Sequence, residues 1–295
     1  MVGAGSRYLY TEKDVKLLGM ARFDELIRIS GERKSGCLDF LRKTAGHENN
    51  YADNENSVAN PEKFILIIPT WRTGLYMQTA TVTNQTVSDR LSAGSNSVAL
   101  RSEDRGTKLK DVRTGDACEH FDESFTQSEY FKAWQGLLTS DELRKILEES
   151  GYRAVFMPHT KIAASLEYWH IPEWITVVKP EEARIQRLLA GCELLITDYS
   201  SVAFDVAFLN KPVIYYQFDE DSFWEQQVFR KGYFDYRANG FGDVCVEEKE
   251  LLEKLKKHML SGCRNTQKYT DIINRTFKYH DAGNCRRIVE AVDKL

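Results

Sequence analysis

Five short apolar runs constrain the fold of this 295-residue chain most strongly. A continuous apolar run of roughly four to eight residues is typical of a strand that is buried on both faces, as in a parallel sheet. The runs read FILIIPTW (64–71), RAVFMP (153–158), WITVV (174–178), ELLITD (193–198) and PVIYYQF (212–218).

Stretches with helical spacing separate these runs. They predict helices over 128–149, 160–168, 180–191, 200–209 and 247–260, two helical pieces around 281–283, and a short helical pattern within 12–29. Pro180 near the first position, with Glu181 and Glu182 in the first turn, favours a helix start there. Strands that alternate with helices predict an α/β fold with a Rossmann-like, doubly wound parallel sheet.

The domain organisation follows from where the apolar runs begin. Residues 1–60 are mixed and then polar, which predicts an N-terminal segment and linker, and residues 61–295 form the expected sheet domain. From about 73 to 122 the sequence is rich in Ser, Thr and Asn and then in charges. A stretch of this length without apolar periodicity predicts a polar insertion in the domain.

Composition excludes several classes of protein. The formal net charge is −4 and the pI about 6.0, whereas nucleic-acid binders carry a basic stripe, so no nucleic-acid partner is expected. The six cysteines include no CxxC pair, which favours reduced thiols in a cytosolic protein. No signal peptide or membrane span is evident, and the chain is expected to be cytoplasmic, with at most peripheral membrane contact.

Polar side chains at strand ends mark the expected site, because ligands of such sheets bind beyond the carboxyl ends of the strands. The TDYSS stretch (197–201) follows one strand and opens a helix. No GxGxxG pattern follows any of the strands, so a dinucleotide cofactor is not expected. Ser200 and Ser201 at a helix N-terminus could bind phosphate through free amides and hydroxyls. Alternatively, Asp198 and Ser200 only cap the helix.

Other strand ends carry candidates with similar alternatives. His159 could transfer a proton or hold a diphosphate, or it could only satisfy loop carbonyls. Arg72 is either a phosphate clamp or a surface charge. Glu181 and Glu182 could bind ribose hydroxyls or complement their helix dipole. Asp205, one turn into the helix after TDYSS, is expected to cap or brace.

Together these motifs resemble one family in the same order along the chain. The matching stretches are LGMARFDEL (18–26), ILIIPTWR (65–72), FMPHT (156–160), LLITDYSSVAFDVAFLNKPVIYY (194–216) and FKYHDAGNCRRIV (277–289). They resemble the CDP-glycerol glycerophosphotransferases, which include the teichoic-acid primases and polymerases of bacterial cell walls. The resemblance implies the C-terminal, donor-binding half of a GT-B fold.

The resemblance also implies a reaction: transfer of polyol phosphate from CDP-glycerol or a related CDP-polyol to a hydroxyl of a polymer or lipid-linked acceptor, with release of CMP. No metal and no cofactor beyond the donor is expected. His159 is the implied catalytic residue, Ser200, Ser201 and Arg72 bind the donor phosphates, and Glu181 and Glu182 the ribose. Thr197, Asp198 and Asp205 are expected to support the site.

Two departures from the family pattern leave alternatives open. The family's N-terminal half has no counterpart before residue 18, and Thr160 replaces the usual proline after the histidine. The chain could therefore be a truncated gene product, one half of a split enzyme that works with a separate N-terminal half-protein, or a remnant that binds the donor without turnover. Thr160 could also alter how His159 is presented. Transfer from a nucleotide-sugar on the same scaffold is a further alternative, since fold does not fix function.

Overall fold

The computed structural model describes residues 10, 13–32, 63–72, 75, 123–182, 184–226 and 231–295. Within these ranges the strands of one parallel sheet are β1 (Lys63–Ile68), β2 (Tyr152–Phe156), β3 (Ile175–Val177), β4 (Leu194–Thr197), β5 (Val213–Tyr216) and β6 (Gly242–Cys245). Their order is β3-β2-β1-β4-β5-β6, and every neighbouring pair is parallel. This is the strand order of the Rossmann fold, so the predicted α/β class is confirmed.

The α-helices of the described residues flank the sheet. They are α1 (Ala21–Glu32), α2 (Glu129–Leu138), α3 (Asp141–Ser150), α4 (Ile185–Gly191), α5 (Val202–Phe208), α6 (Glu220–Gln226), α7 (Tyr236–Asn239), α8 (Glu248–Leu260), α9 (Gln267–Thr276) and α10 (Asn284–Val292). Two 3₁₀ helices span Glu123–Gln127 and Thr160–Tyr168.

Strand β1 shows how the two layers of helices are held. Successive side chains of a strand point to opposite faces of the sheet. Ile65 and Ile67 pack in the layer of α2, α3 and α8, whereas Leu66 and Ile68 pack in the layer of α1, α4, α5 and α9. The strand is therefore apolar at every buried position, which is the pattern that the sequence displayed.

The strand order places a crevice between β1 and β4. The chain runs from β1 outward to β2 and β3, then returns to the other side of β1 to form β4, β5 and β6. At such a reversal the connections leave the carboxyl ends of the two central strands uncovered. Ile68 and Thr197 are partners in the register at this end of the sheet.

The sequence missed β6, although it predicted β1 to β5. Gly242 and Asp243 interrupt the apolar pattern of this strand. A Cβ atom at position 242 would lie 1.6 Å from the carbonyl oxygen of Val213 in β5. Glycine is therefore required by the close approach of the two backbones, although it favours a strand poorly.

The helix predicted over 128–149 is divided in two. Thr139 ends α2, and the Ser140 hydroxyl accepts a hydrogen bond of 3.4 Å from the Leu143 amide to cap α3. The helical spacing continues across this break because both helices pack their apolar faces in the same layer. The stretch predicted as a helix over 160–168 forms one of the 3₁₀ helices.

The predicted helix start at Pro180 was wrong. Residues 180–182 form a turn, and α4 begins at Ile185. The amide of Lys179 donates to the Glu182 carboxylate at 3.1 Å, and the amide of Glu182 donates to the Lys179 carbonyl at 3.0 Å. These two bonds close the turn before the helix.

Several sequence predictions lie outside the described residues. These are the proposed boundary between residues 60 and 61, the cysteines at 37 and 118 and, apart from residue 75, the insertion at 73–122. The other four cysteines are described and form no disulfide with each other. Among the described helices, none has the length and apolar character needed to cross a membrane.

Helix α1 packs on the body of the sheet domain, although it lies within the segment that the sequence assigned to the N-terminal region. Phe23 is buried, and its ring stacks on that of Phe208 in α5 with 4.1 Å between centroids. Arg22 donates from Nε to Asp205 of α5 at 2.6 Å. Two adjacent residues of the ARFDEL motif thus join α1 to the helix that follows TDYSS.

The third residue of the motif, Asp24, caps α10. Its Oδ1 accepts from the backbone amide of Asn284 at 2.9 Å and its Oδ2 from that of Cys285 at 2.8 Å. A carboxylate is favourable at a helix N-terminus because it satisfies free amides and complements the helix dipole. The motif near residue 22 and the one near residue 284 are therefore parts of one contact.

We predict that Asp24→Ala lowers the free energy of unfolding by about 1–2 kcal/mol, the usual effect of removing a helix cap. Asn284 is the only fully buried residue of α10, so amide hydrogen exchange across 284–292 should accelerate. Thermal unfolding and hydrogen exchange measure the two effects. Glu25→Ala is the control, since Glu25 is the next residue of α1 and its carboxylate pairs with Arg28 at the surface, and unchanged exchange in Asp24→Ala would contradict the prediction.

Candidate functional site

The loops at the carboxyl ends of β2, β1, β4 and β5 lie side by side at one edge of the sheet, because these four strands are neighbours. They contribute His159 after β2, Thr70 to Arg72 after β1, the TDYSS turn after β4 and Asp219 after β5. The sequence placed most of these residues at strand ends, and the strand order brings them to neighbouring positions.

Hydrogen bonds of Thr197 and Asp198 fix the base of the TDYSS turn to the ends of the neighbouring strands. The Asp198 carboxylate accepts from the Thr70 amide at 2.8 Å and from the Tyr199 amide at 2.7 Å, both at Oδ1. The Thr197 hydroxyl donates to the Ile68 carbonyl at 2.6 Å, and Gln217 Nε2 donates to the Asp198 carbonyl at 3.1 Å. Thr197 and Asp198 are both completely buried. Both side chains therefore hold the turn in place, and their predicted role in support of a functional site stays a prediction.

Ser200 and Ser201 lie above this base, at the start of α5. The Ser200 hydroxyl receives only a long hydrogen bond of 3.4 Å from the Val202 amide, and Ser201 makes no side-chain cap. Among the described residues, none accepts a hydrogen bond from the Ser200 or Ser201 amide. Asp198 does not cap α5, because its carboxylate is directed to Thr70 and Tyr199. The donors of this turn are therefore available to an anion.

His159 is held in one orientation by the residues that follow it. Its Nδ1 accepts from the Lys161 amide at 3.2 Å. A neutral imidazole that accepts at Nδ1 carries its proton on Nε2. Burial, and then the positive charge of Lys161, lower the pKa of His159 below its ordinary value, while Asp198 acts in the opposite direction. The geometry thus favours a neutral ring that donates from Nε2.

Trp71 lies between the histidine and a lysine. Its ring centroid is 6.2 Å from that of His159, and the ammonium of Lys161 lies 4.3 Å from the Trp71 ring centroid. The contact is a cation–π interaction, which restrains a long and otherwise flexible side chain. Lys161 therefore adds positive charge next to His159.

Arg72 does not occupy the position expected of a phosphate clamp. Its side chain is 2% exposed. Nε lies 2.6 Å from Asp219 Oδ2, Nη2 lies 3.2 Å from Asp219 Oδ1, and Nη1 donates to the Thr70 carbonyl at 2.8 Å. Nη1 also lies 2.9 Å from Asp198 Oδ2, an ion-pair contact without hydrogen-bond geometry. Each nitrogen is engaged by protein, so the guanidinium is not open to a ligand in this arrangement.

The surroundings of Arg72 are aromatic as well as acidic. Four rings lie with their centroids 4.7 to 5.6 Å from the guanidinium carbon: Tyr130, Tyr199, Phe218 and Phe223. Desolvation opposes the charge of Arg72, but Asp198 and then Asp219 outweigh it and raise the pKa of the guanidinium above its ordinary value. Arg72 therefore stays charged within the protein interior.

The remaining predicted residues lie further from the turn. Glu181 and Glu182 are exposed and follow β3, the edge strand. Since β2 and β1 separate β3 from β4, the end of β3 lies three inter-strand spacings, or about 14 Å, from the strand that leads into TDYSS. Asp205 is buried and faces Arg22 of α1, so its position supports a bracing role and no contact with a ligand.

Sequence reasoning missed Asp219 and Tyr199. A signal for Asp219 was present, because this acid follows the apolar run of β5 in the same way that Asp198 follows β4. Tyr199 lies within TDYSS, and its ring stacks on that of Phe223 with 3.5 Å between centroids. Its contact partner comes from α6, which the sequence did not predict.

The described residues contain no group of three or more His, Cys, Asp or Glu side chains placed to hold a metal ion. The expectation of a reaction without a metal remains a prediction. The donor set at the site consists instead of amides, hydroxyls, an imidazole and the ammonium of Lys161. Such a set is suited to an anion.

Comparison with known proteins identifies relatives along most of the chain. The chain is 31% identical over 175 residues to the minor teichoic acid biosynthesis protein GgaB of Bacillus subtilis (59% of this chain, 19% of GgaB). It is 46% identical over 108 residues to the teichoic acid poly(ribitol-phosphate) polymerase of Bacillus spizizenii (37% of this chain, 16% of that protein). The chain thus matches less than a fifth of the length of these curated relatives.

A solved structure shows the same fold. The wall teichoic acid polymerase TagF superposes with a TM-score of 0.54 and 19% sequence identity, covering 97% of this chain and 53% of the TagF chain. The sequence pattern of CDP-Glycerol:Poly(glycerophosphate) glycerophosphotransferases matches residues 37–294. The chain therefore belongs to the CDP-glycerol:poly(glycerophosphate) glycerophosphotransferase family.

Proposed function

We propose that this chain binds the diphosphate of CDP-glycerol, or of a related CDP-polyol, at the TDYSS turn and supports transfer of polyol phosphate to an acceptor hydroxyl. The observation that carries the proposal is the group of unengaged donors on Ser200 and Ser201, set on a hydrogen-bonded turn after β4, with His159 after β2 at the same edge of the sheet. Membership of a family named for CDP-glycerol supports the choice of donor. The ribitol-phosphate polymerase among the relatives supports CDP-ribitol as the related donor.

The proposed chemistry places charge where the site has donors. An oxygen of the acceptor hydroxyl attacks the phosphorus that bears glycerol, and the bond from this phosphorus to the bridging oxygen breaks. CMP leaves with the electron pair of that bond, and the proton of the acceptor hydroxyl passes to solvent water. Catalysis of such a transfer depends mainly on positioning and on stabilisation of charge at the phosphates. Amides and hydroxyls of residues 200 and 201 would stabilise the diphosphate.

His159 acts in this proposal as a hydrogen-bond donor to the departing phosphate. The Lys161 amide occupies Nδ1, so the neutral ring presents an N–H and not a lone pair at Nε2. A ring in this state cannot remove the acceptor proton at Nε2. Lys161 supplies a positive charge beside it. Among the two roles that the sequence left open for His159, this geometry favours phosphate binding.

Glu181 and Glu182 remain the proposed ribose ligands, although an extended nucleotide would be needed to reach from TDYSS to the turn after β3.

Because the chain matches 53% of TagF and a smaller part of its curated relatives, the acceptor site is proposed to come from elsewhere: a separate N-terminal half-protein or a further part of a longer chain. Binding at the inner face of the cell membrane is proposed through a lipid-linked acceptor.

The direct test is to incubate the protein with CDP-glycerol, CDP-ribitol or a UDP-sugar, with and without a polyol-phosphate acceptor, and to measure release of CMP or UDP. Release of CMP that depends on the acceptor supports the proposal. Binding of CDP-glycerol by calorimetry without any CMP release favours a donor-binding protein without turnover. Release of UDP alone favours a nucleotide-sugar transferase and would overturn the proposal.

Replacing both serines tests the phosphate contacts. We predict that Ser200→Ala with Ser201→Ala weakens CDP-glycerol binding at least about tenfold, since a hydrogen bond to a charged group contributes about 1.5–3 kcal/mol. Isothermal titration calorimetry measures the dissociation constant. Ser261→Ala is the matched control, because its hydroxyl bonds the His258 carbonyl at the end of α8. Equal affinities of the double variant and the control would contradict the assignment.

The pKa of His159 predicts how binding depends on pH. Because burial lowers the pKa of His159 from its ordinary value, the neutral ring predominates from pH 6.5 to 8.5, and affinity for CDP-glycerol should change little over that range. Below pH 6.5 protonation adds a positive charge, so binding should become tighter. His159→Gln should abolish the change at low pH. An affinity that falls steadily from pH 6.5 to 8.5 would instead indicate a charged histidine with a raised pKa.

A further inference from the structure

One guanidinium connects the ends of three neighbouring strands. Arg72 follows β1, and its partners are the Thr70 carbonyl of the same loop, Asp198 after β4 and Asp219 after β5. β1, β4 and β5 are adjacent in the sheet, and β1 and β4 meet at the reversal of strand order. All three charged side chains are buried. The contact therefore lies directly beneath the turn that carries Ser200 and Ser201.

We propose that Arg72 and Asp219 are positioning residues that fix the TDYSS turn for ligand binding. Arg72 holds Asp198, whose other carboxylate oxygen accepts from the Tyr199 amide. Asp219 in turn holds Arg72 through two nitrogens of the guanidinium. The inference rests on the proposed function only for the identity of the bound anion.

A second connection joins Asp219 to the same turn. The Asp219 carbonyl accepts a hydrogen bond of 2.8 Å from the Phe223 amide. This bond forms the first turn of α6. The Phe223 ring stacks on Tyr199 with an interplanar angle of 10°. Tyr236 also donates from its hydroxyl to the Tyr199 carbonyl at 3.1 Å. Tyr199 is therefore restrained through its amide, ring and carbonyl. Residue 219 contributes to two of these contacts, with its carboxylate through Arg72 and Asp198 and with its backbone carbonyl through Phe223.

The shape of the guanidinium explains why arginine occupies this position. A planar fork can bind one carboxylate with two nitrogens while a third nitrogen bonds another acceptor, whereas an ammonium is a point charge. Lysine would keep a positive charge between the two carboxylates, but its ammonium would not hold them in fixed directions relative to each other. Removing the charge altogether would leave buried carboxylates without compensation, which is strongly destabilising.

Two conservative variants test the proposal. Arg72→Lys keeps the charge and loses the fork, and Asp219→Asn keeps the shape and loses the charge. Arg237→Lys is the matched control, because this arginine forms the same kind of pair with Glu220 at the surface. For each variant, hydrogen exchange of residues 198–203 reports on the turn without any ligand. Calorimetry with CDP-glycerol reports on binding, and thermal unfolding reports on the fold.

We expect both site variants to accelerate exchange at 198–203 about tenfold, while exchange in β5 and α8 stays unchanged. Each should weaken CDP-glycerol binding about tenfold, and Arg237→Lys should match the wild type in both measurements. Should Arg72→Lys fail to fold, Asp219→Asn alone decides the question. Wild-type protein that binds no CDP-glycerol would contradict the proposed function, and the exchange rates would still test the positioning role.

A direct contact between Arg72 and phosphate gives a different result. Arg72→Lys would then weaken binding without faster exchange at 198–203, and Asp219→Asn, which releases the guanidinium, would bind CDP-glycerol as well as or better than the wild type. That pattern would overturn the proposal. Unchanged exchange and unchanged affinity in both variants would overturn it as well.

Discussion

The buried ion pair of Arg72 with Asp198 and Asp219 is the interaction on which the arrangement of the site depends. Three ionised side chains in an interior carry a large desolvation penalty, which only close and well-oriented partners offset. Here the guanidinium is paired with both carboxylates, bonded to a backbone carbonyl and surrounded by aromatic rings. Such a contact specifies one geometry of the strand ends, because each displaced group would be left buried without a partner.

A rigid TDYSS turn suits the proposed transfer of polyol phosphate. Phosphate binding by amides requires that the N–H groups already point to the ligand, since the protein contributes orientation more than covalent chemistry. In this chain the charged residues lie beneath the turn and the uncharged donors of residues 200 and 201 lie above it. The structure thus separates the groups that hold the turn from those available to an anion.

Much of the fold could be predicted from the sequence, because a parallel sheet buried on both faces leaves long apolar runs. β6 could not, since its Gly242 is selected by contact with Val213 and not by strand propensity. The positions of His159 and TDYSS followed from the strand-end rule. The buried ion pairs of Arg72 could not be predicted, because they depend on Asp219 and on a strand order that hydrophobic periodicity does not reveal. The spacing of Glu181 and Glu182 from the turn depends on that order too.

The cap that Asp24 provides for α10 has a consequence for how the chain folds. Its partners Asn284 and Cys285 are about 260 residues away along the sequence. Closing so long a loop is entropically costly and slow, and it is rewarded only when the sheet between the two elements already exists. We therefore expect α10 to dock on α1 late in folding. We also expect reversible local opening of the native protein to begin at α10, in which only Asn284 is buried.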